Sequence, residues 1–252
     1  MISDHNDPYM REQDIGYYPL ALPTADERLC GLALLENRIY GINKLKEIYV
    51  YLNEKPFPLQ DTFNLKEANN PMDLAACEKT KCLYVSDIYE RCIWRILVSD
   101  RRVDKWVDTG SFQPWRISVA EDGRVLVTMR SSELILYGCG GETIDRNCVK
   151  NIAHDFDRKP SYAVEYSAGN VLIVYEEKDS GFLFNILMQS KHHRYVPRRV
   201  TARYVRPDRF SGNNWLYGPT TVTVDHQNGL IFALDRMRQS VMLLDPKLQV
   251  IR

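Results

Sequence analysis

Hydrophobic and polar positions alternate in short runs along most of this chain. The apolar runs are rich in valine, isoleucine and tyrosine, and dipeptides such as Asp122-Gly123 and Asn228-Gly229 interrupt them. Such dipeptides favour tight hairpin turns because their residues tolerate positive φ. The runs are also too short to form independent helices. The pattern therefore predicts an all-β protein built from consecutive hairpins.

The apolar runs recur in a fixed order of strand, turn, second strand, polar loop and third strand. Four of the five copies begin at a proline, and Pro71, Pro114, Pro160 and Pro219 are 43, 46 and 59 residues apart. A period of roughly 40–45 residues with short strands is typical of β-propellers. Each small sheet buries its faces only by packing against its neighbours in the ring. We therefore predict a β-propeller of four-stranded antiparallel blades with five visible repeats.

The repeats predict individual strand positions. The first three strands of each copy are predicted at residues 32–35, 38–41 and 48–51; 71–77, 82–87 and 91–96; 114–120, 125–128 and 134–137; 160–166, 171–174 and 182–184; and 219–224, 230–235 and 241–244. A fourth, outer strand is predicted at residues 62–65, 105–107, 199–202 and 248–251, and near Cys148-Val149 in the third copy.

The two ends of the chain suggest how the ring is completed. Residues 1–28 are expected to form an N-terminal segment in which residues 15–20 are a candidate closing strand, and residues 29–252 the propeller domain. Five complete copies and one leading strand predict an incomplete six-bladed ring. A closed five-bladed ring is the alternative.

Charge, hydropathy and cysteine content limit the partners and the location. The 33 lysines and arginines balance the 33 aspartates and glutamates, which excludes a basic field over the whole surface. No apolar run approaches the roughly 20 residues of a membrane span, so no membrane association is expected. The six cysteines form no C-x-x-C pair, and we predict reduced thiols and a cytoplasmic location. The alternative is an extracellular fragment with a Cys139–Cys148 disulfide.

Two copies carry a motif that resembles NHL repeats. Residues 83–87 (Leu-Tyr-Val-Ser-Asp), followed by Arg91-Cys92-Ile93, resemble that family's core, and residues 231–235 with Val241 match it more loosely. In the other copies Ile42, Met129 and Tyr175 stand where the aspartate is expected. The YWTD propellers and the gluconolactonase-like propellers are similar rivals. The resemblance implies a six-bladed, TolB-like propeller. Because an aspartate that ends a strand accepts backbone N–H bonds from the following loop, we expect structural roles for Asp87 and Asp235.

No known catalytic motif occurs in the sequence. The five histidines form no H-x-x-x-H or H-E-x-x-H pattern, and no G-x-S-x-G or phosphate-binding loop is present. We therefore predict a non-catalytic protein without a cofactor or a metal. The alternative is a lactonase-like metal-dependent hydrolase, for which Glu36, Asn170 and Asp225 are candidate ligands.

The loops between second and third strands, with the connections between blades, are predicted to form one binding face. Tyrosine, tryptophan and arginine are enriched at interface hot spots. The candidate binding residues are Arg91, Trp115, Arg116, Arg130, Tyr162, Arg236 and Arg238. A protein or peptide partner is expected, and the resemblance implies a module of a larger, tripartite-motif ubiquitin-ligase-like protein. The alternative is that Trp115 and Tyr162 only pack between blades.

Residues 191–209 form a strongly basic segment in an otherwise neutral chain. Its basic patch consists of Arg194, Arg198, Arg199, Arg203, Arg206 and Arg209. Basic residues interleaved with tyrosines suit RNA or another polyanion, an option that the NHL resemblance also implies. The alternative is an edge strand whose charges prevent aggregation.

Overall fold

Short strands separated by tight turns make up the computed structural model of this chain. The structure describes residues 29–131, 133–148, 159–167, 170–177, 181–189, 195–205, 219–225, 228–235, 240–245 and 250–251. These residues contain twenty β-strands and no helix. The N-terminal segment 1–28, with its predicted strand at residues 15–20, lies outside the described residues.

The strands follow one another in five groups of four. In chain order they are β1 Leu29–Leu35, β2 Arg38–Asn43, β3 Glu47–Leu52, β4 Leu59–Asn64, β5 Pro71–Cys77, β6 Cys82–Asp87, β7 Cys92–Leu97, β8 Arg102–Asp108, β9 Pro114–Val119, β10 Val125–Met129, β11 Glu133–Tyr137, β12 Thr143–Cys148, β13 Lys159–Ser167, β14 Asn170–Glu177, β15 Gly181–Gln189, β16 Tyr195–Val205, β17 Pro219–Asp225, β18 Leu230–Asp235, β19 Ser240–Leu244 and β20 Val250–Ile251.

Each group of four consecutive strands forms one antiparallel sheet, and the sheets are arranged radially. The first strands of successive sheets are neighbours, so β1, β5, β9, β13 and β17 are the innermost strands. This arrangement confirms the predicted β-propeller of four-stranded antiparallel blades. Within the described residues β17 and β1 do not pack against each other as successive blades do. A six-bladed ring stays a prediction.

The outer strands differ most from their predicted positions. In the third blade β12 is Thr143–Cys148 and ends where that strand was predicted, and β16 extends well beyond residues 199–202. The outer strand β4 is half-exposed or exposed along its whole length. Because such strands have only one neighbour and little buried surface, their hydrophobic pattern is weak.

The core lies between the blades. Tyr40 and Ile42 of the first blade pack with Leu83 and Val85 of β6, while Tyr84 on the opposite face of β6 packs against the third blade. All six residues of β6 are therefore buried. Burial on both faces explains why the inner strands show continuous apolar runs.

Asp87 connects the second blade to its flanking loops. Its carboxylate is fully buried and accepts five hydrogen bonds of 2.6–3.3 Å. The donors are the backbone N–H groups of Asn69, Asn70, Tyr89 and Glu90 and the indole N–H of Trp94. The predicted role of Asp87 as an acceptor for the following loop is confirmed.

The strand register corrects one position in the repeat comparison. Asp87 pairs with Pro71, and the equivalent pair in the first blade is Asn43 with Leu29. The assignment of Ile42 to the aspartate position is therefore wrong by one residue. Asn43 is buried, and its amide accepts the Glu47 backbone N–H and donates to the Glu47 carboxylate. An amide thus replaces the carboxylate at this position of the first blade.

The Cys139–Cys148 disulfide is incompatible with this fold. Cys139 lies in the turn between β11 and β12, whereas Cys148 pairs with Glu133 at the other end of that hairpin. Five residues of extended strand separate Thr143 from Cys148, which amounts to roughly 16 Å. Bridged cysteines need Cα atoms within about 7 Å. Cys30, Cys77, Cys82, Cys92 and Cys139 are free thiols.

Candidate binding face

Antiparallel strands place alternate loops at opposite ends of the blades. One end carries the loops at residues 44–46, 65–70, 88–91, 109–113 and 130–131 of the first three blades, together with the start of β9; we call it the interblade face. Backbone hydrogen bonds connect these loops. The N–H groups of Ile88, Thr109 and Arg130 donate to the carbonyls of Asn70, Arg91 and Gln113 at 3.3, 2.8 and 2.9 Å, respectively. The scaffold therefore fixes the positions of the side chains on this face.

Trp115 is the aromatic centre of the interblade face. It is half-buried, and the guanidinium carbons of Arg116 and Arg130 lie 5.9 and 5.8 Å from its ring centroid. These distances are within the range of cation–π attraction. The Trp115 carbonyl also accepts a hydrogen bond from the Ser86 hydroxyl at 3.1 Å, which anchors it to the second blade. Trp115 thus is half-buried, with a backbone contact to the second blade and a ring flanked by two cations.

Arg116 connects the innermost strands of three blades. Its Nη1 donates to the carbonyls of Cys30 in β1 and Met72 in β5 at 3.3 and 3.2 Å, and lies 3.8 Å from the Asp73 carboxylate. Asp73 is buried and accepts the backbone N–H of Ile117. Burial raises the pKa of Asp73 to about 6, and the positive charge of Arg116 opposes that increase.

Lys44 is a member of this face that the sequence prediction missed. Its ammonium donates to the Asn70 side-chain oxygen at 3.1 Å and to the Pro71 carbonyl, and it contacts the Met72 sulfur. Burial lowers the pKa of Lys44. Lys44 is the first residue after β2, and Arg130 is the first residue after β10, the equivalent strand of the third blade. An alignment of the repeats in the correct strand register could therefore have identified Lys44.

The remaining described candidates have different surroundings. The Arg91 side chain is exposed, while the Arg91 carbonyl accepts the hydroxyl and the N–H of Thr109. Tyr162 is half-buried, and its hydroxyl donates to the Ile117 carbonyl at 3.4 Å. Tyr162 therefore packs between the third and fourth blades.

Several predicted binding residues fall where the structure gives little or no description. Arg194, Arg206, Arg209, Arg236 and Arg238 lie outside the described residues. Arg198, Arg199 and Arg203 lie in β16, the outer strand of the fourth blade, where Arg203 pairs with Leu183. Polyanion binding by this basic patch stays a prediction.

Two large apolar side chains are exposed on the interblade face. Leu45 in the first blade is 64% exposed and Tyr89 in the second is 62% exposed. They lie in equivalent loops of adjacent blades, between second and third strands. Leu45 was not predicted, because a single leucine between two lysines carries no recognisable binding signal. The interblade face therefore combines apolar anchors with several cations.

Cations on the two ends of the blades differ in their pairing. On the opposite end, Lys81 pairs with Glu36 and Glu78, and Arg124 pairs with Asp122 at 2.5 Å. The cations of the interblade loops make no ion pair within the described part of the chain. They are Lys44, Lys46, Lys66, Arg91 and Arg130. The interblade loops consequently present cations without an ion-pair partner among the described residues.

Other features of the described chain give weaker indications of a site. A cavity of about 310 Å³ lies between the outer strands of the first two blades near Asp61 and Arg101, and a groove of about 410 Å³ lies beside Trp106 and Arg146. Among the described residues no three histidines, cysteines, aspartates or glutamates are grouped to hold a metal ion. The same residues include no helix long and apolar enough to cross a membrane.

Solved structures share this fold at low sequence identity. A nidogen/laminin complex matches with a TM-score of 0.65 and 12% identity over 90% of this chain and 79% of that chain. A gluconolactonase from Xanthomonas campestris matches with a TM-score of 0.62 and 12% identity over 88% and 73% of the two chains. A Swd1 β-propeller domain from Myceliophteria thermophila matches with a TM-score of 0.59 and 6% identity over 89% and 72%. No protein-family model and no curated protein matches the sequence.

Proposed function

We propose that this protein is a non-catalytic propeller scaffold that binds a protein or peptide on its interblade face. One observation carries the proposal: the half-buried Trp115 lies with its ring beside two guanidinium groups, on the face that also exposes Leu45 and Tyr89. Large aromatic side chains and arginines contribute most of the energy at protein interfaces. The backbone bonds between the loops reduce the entropy lost on binding.

The finer identity of the scaffold rests on its motif. The resemblance of residues 83–87 to NHL repeats, and the acceptor role of Asp87, support an NHL-type propeller that serves as a module of a larger, ubiquitin-ligase-like protein. The structure of nidogen in complex with laminin is an example of a similar fold in a protein complex. The free thiols of the described cysteines support a cytoplasmic location.

A lactonase-like hydrolase is the principal alternative. Its support is a fold shared with a gluconolactonase at 12% identity. Glu36, one of its candidate ligands, lies in the turn between β1 and β2 and pairs with Lys81 at 3.4 Å. Stoichiometric metal retained by the purified protein, with hydrolysis of a lactone, would favour this alternative.

The test of the proposed function is the replacement of an anchor residue. A partner is captured with the parent protein, identified by mass spectrometry, and purified for titration calorimetry. Trp115→Ala should weaken its binding by about 2 kcal/mol, as expected for a hot-spot residue. Leu32→Ala is the matched control, because Leu32 is 53% exposed but lies in β1 and outside the interblade loops.

Thermal unfolding of each variant establishes that the propeller remains folded. Equal binding by the parent, Trp115→Ala and a Leu45→Ala/Tyr89→Ala double variant would refute the location of the site.

A further inference from the structure

We infer that the partner of the interblade face is an acidic peptide segment whose carboxylates bind between the unpaired cations of the first three blades. The inference rests on the proposed function and adds the chemistry of its partner. It follows from the different pairing of cations at the two ends of the propeller.

The positive charge of the interblade face cannot be inferred from composition. The chain is neutral overall. The loops of the opposite end in the same three blades carry more acids than cations. The acids are Glu36, Glu54, Glu78, Asp100, Glu121, Asp122 and Glu142, and the cations are Lys55, Lys79, Lys81, Arg101 and Arg124. The interblade loops carry five cations and only Glu67 and Glu90 as exposed or half-exposed acids. The loops at the two ends of these blades thus carry opposite net charge.

The available donors suit carboxylates. Arg130 is exposed and beside Trp115, and Arg91 is exposed in the neighbouring loop. Guanidinium groups bind carboxylates through paired N–H donors. A segment with two or more acidic side chains would therefore find several donors on one rigid surface.

The apolar anchors favour a peptide over a nucleic acid. Leu45 and Tyr89 project from loops that also contain the cations. A leucine provides no aromatic surface for base stacking, whereas the apolar side chains of a peptide can pack against it. A peptide that alternates apolar and acidic residues would contact the anchors and the cations together.

The experiment selects peptides from a random display library with the intact protein. Enriched peptides are synthesised together with counterparts in which each Asp or Glu is replaced by Asn or Gln, and binding is measured by fluorescence anisotropy. The expected peptides contain acidic residues, and their neutral counterparts bind more weakly. Affinity should also fall as the salt concentration rises from about 0.05 to about 0.15 M, because the charges are exposed to solvent.

Charge-neutralising variants of the protein identify which cations contact the acidic residues of the bound peptide. Arg130→Gln and Arg91→Gln should each reduce affinity by up to about fivefold, which is the range of exposed ion pairs. Arg101→Gln on the opposite end is the matched control and should leave affinity unchanged. The neutral peptides, in which Asn or Gln replaces each acidic residue, should bind the parent protein and Arg130→Gln with similar affinity.

The possible results separate the inference from the proposed function. Enriched peptides without acidic residues, which still lose affinity in Trp115→Ala, would overturn the inference and leave the proposed function standing. Failure to enrich any peptide would overturn the inference alone, because the proposed function is tested separately by the titration of a captured partner against Trp115→Ala. If single-stranded RNA bound more tightly than every acidic peptide and lost affinity in Arg130→Gln, the partner would be a nucleic acid and the inference would be overturned.

Discussion

Removal of the Asp87 carboxylate should destabilise the propeller more than any substitution of an exposed acid. Asp87→Ala leaves four backbone N–H groups and the Trp94 indole N–H without their acceptor. A hydrogen bond to a charged group contributes about 1.5–3 kcal/mol, and such contributions are not additive within one network. Because loop relaxation will allow some donors to reach water, we expect a loss of about 4 kcal/mol, near the upper end for single substitutions.

The expected loss is large relative to the stability of a domain, which is about 5–15 kcal/mol. For a chain of this size each kcal/mol lowers the melting temperature by about 2–4 °C, so Asp87→Ala should lower it by roughly 8–16 °C. Urea unfolding followed by tryptophan fluorescence gives the free energy, and scanning calorimetry gives the melting temperature. Asp87→Asn retains one acceptor oxygen and should lose about half as much.

Asp104→Ala is the matched control for Asp87→Ala. The Asp104 side chain is 45% exposed and its contact is an ion pair with Arg95. Exposed ion pairs contribute about 0–1 kcal/mol, so this variant should be nearly as stable as the parent. A loss in Asp87→Ala no larger than that in Asp104→Ala would refute the idea that the aspartate network holds the loops of the second blade.

Three further predictions concern burial and packing. Because burial raises the pKa of Asp73 to about 6, the folded chain holds this proton more tightly than the unfolded chain. The free energy of unfolding should therefore fall by about 2 kcal/mol between pH ~4 and pH ~6. Urea unfolding at both pH values should show that this contribution is lost in Asp73→Asn. Burial also raises the pKa of Cys92 to about 12. Iodoacetamide should consequently modify the half-buried Cys139 well before Cys92, and peptide mapping that found Cys92 modified first would contradict this. Finally, a Cβ on Gly31 would lie 2.3 Å from the backbone nitrogen of Leu74, so Gly31→Ala should cost at least about 2 kcal/mol in the same unfolding assay.

The sequence by itself predicted the blades because local chemistry encodes them. Turns such as Asp122-Gly123 and continuous apolar strands such as β6 are short-range signals, and their recurrence implied the radial packing of sheets. The acceptor role of Asp87 was likewise predictable, because two of its five donors lie in the loop directly after β6. Two more lie in the loop directly before β5, the strand that pairs with β6. The outer strands were poorly located because exposed edges carry little hydrophobic pattern.

Only the tertiary structure decided which charges remain available for binding. Arg116 and Trp115 were candidates from residue type alone, but the contact of Arg116 with Cys30 joins residues 86 positions apart in the chain. Lys44 and Leu45 became part of the face only when the strand register aligned their loop with that of Arg130. The net charge of the chain is the sum over both ends of the propeller, so it does not show how the charges are distributed between them. Antiparallel strands then send alternate loops to opposite ends, and this separation in space leaves the loops of one face with more cations than acids.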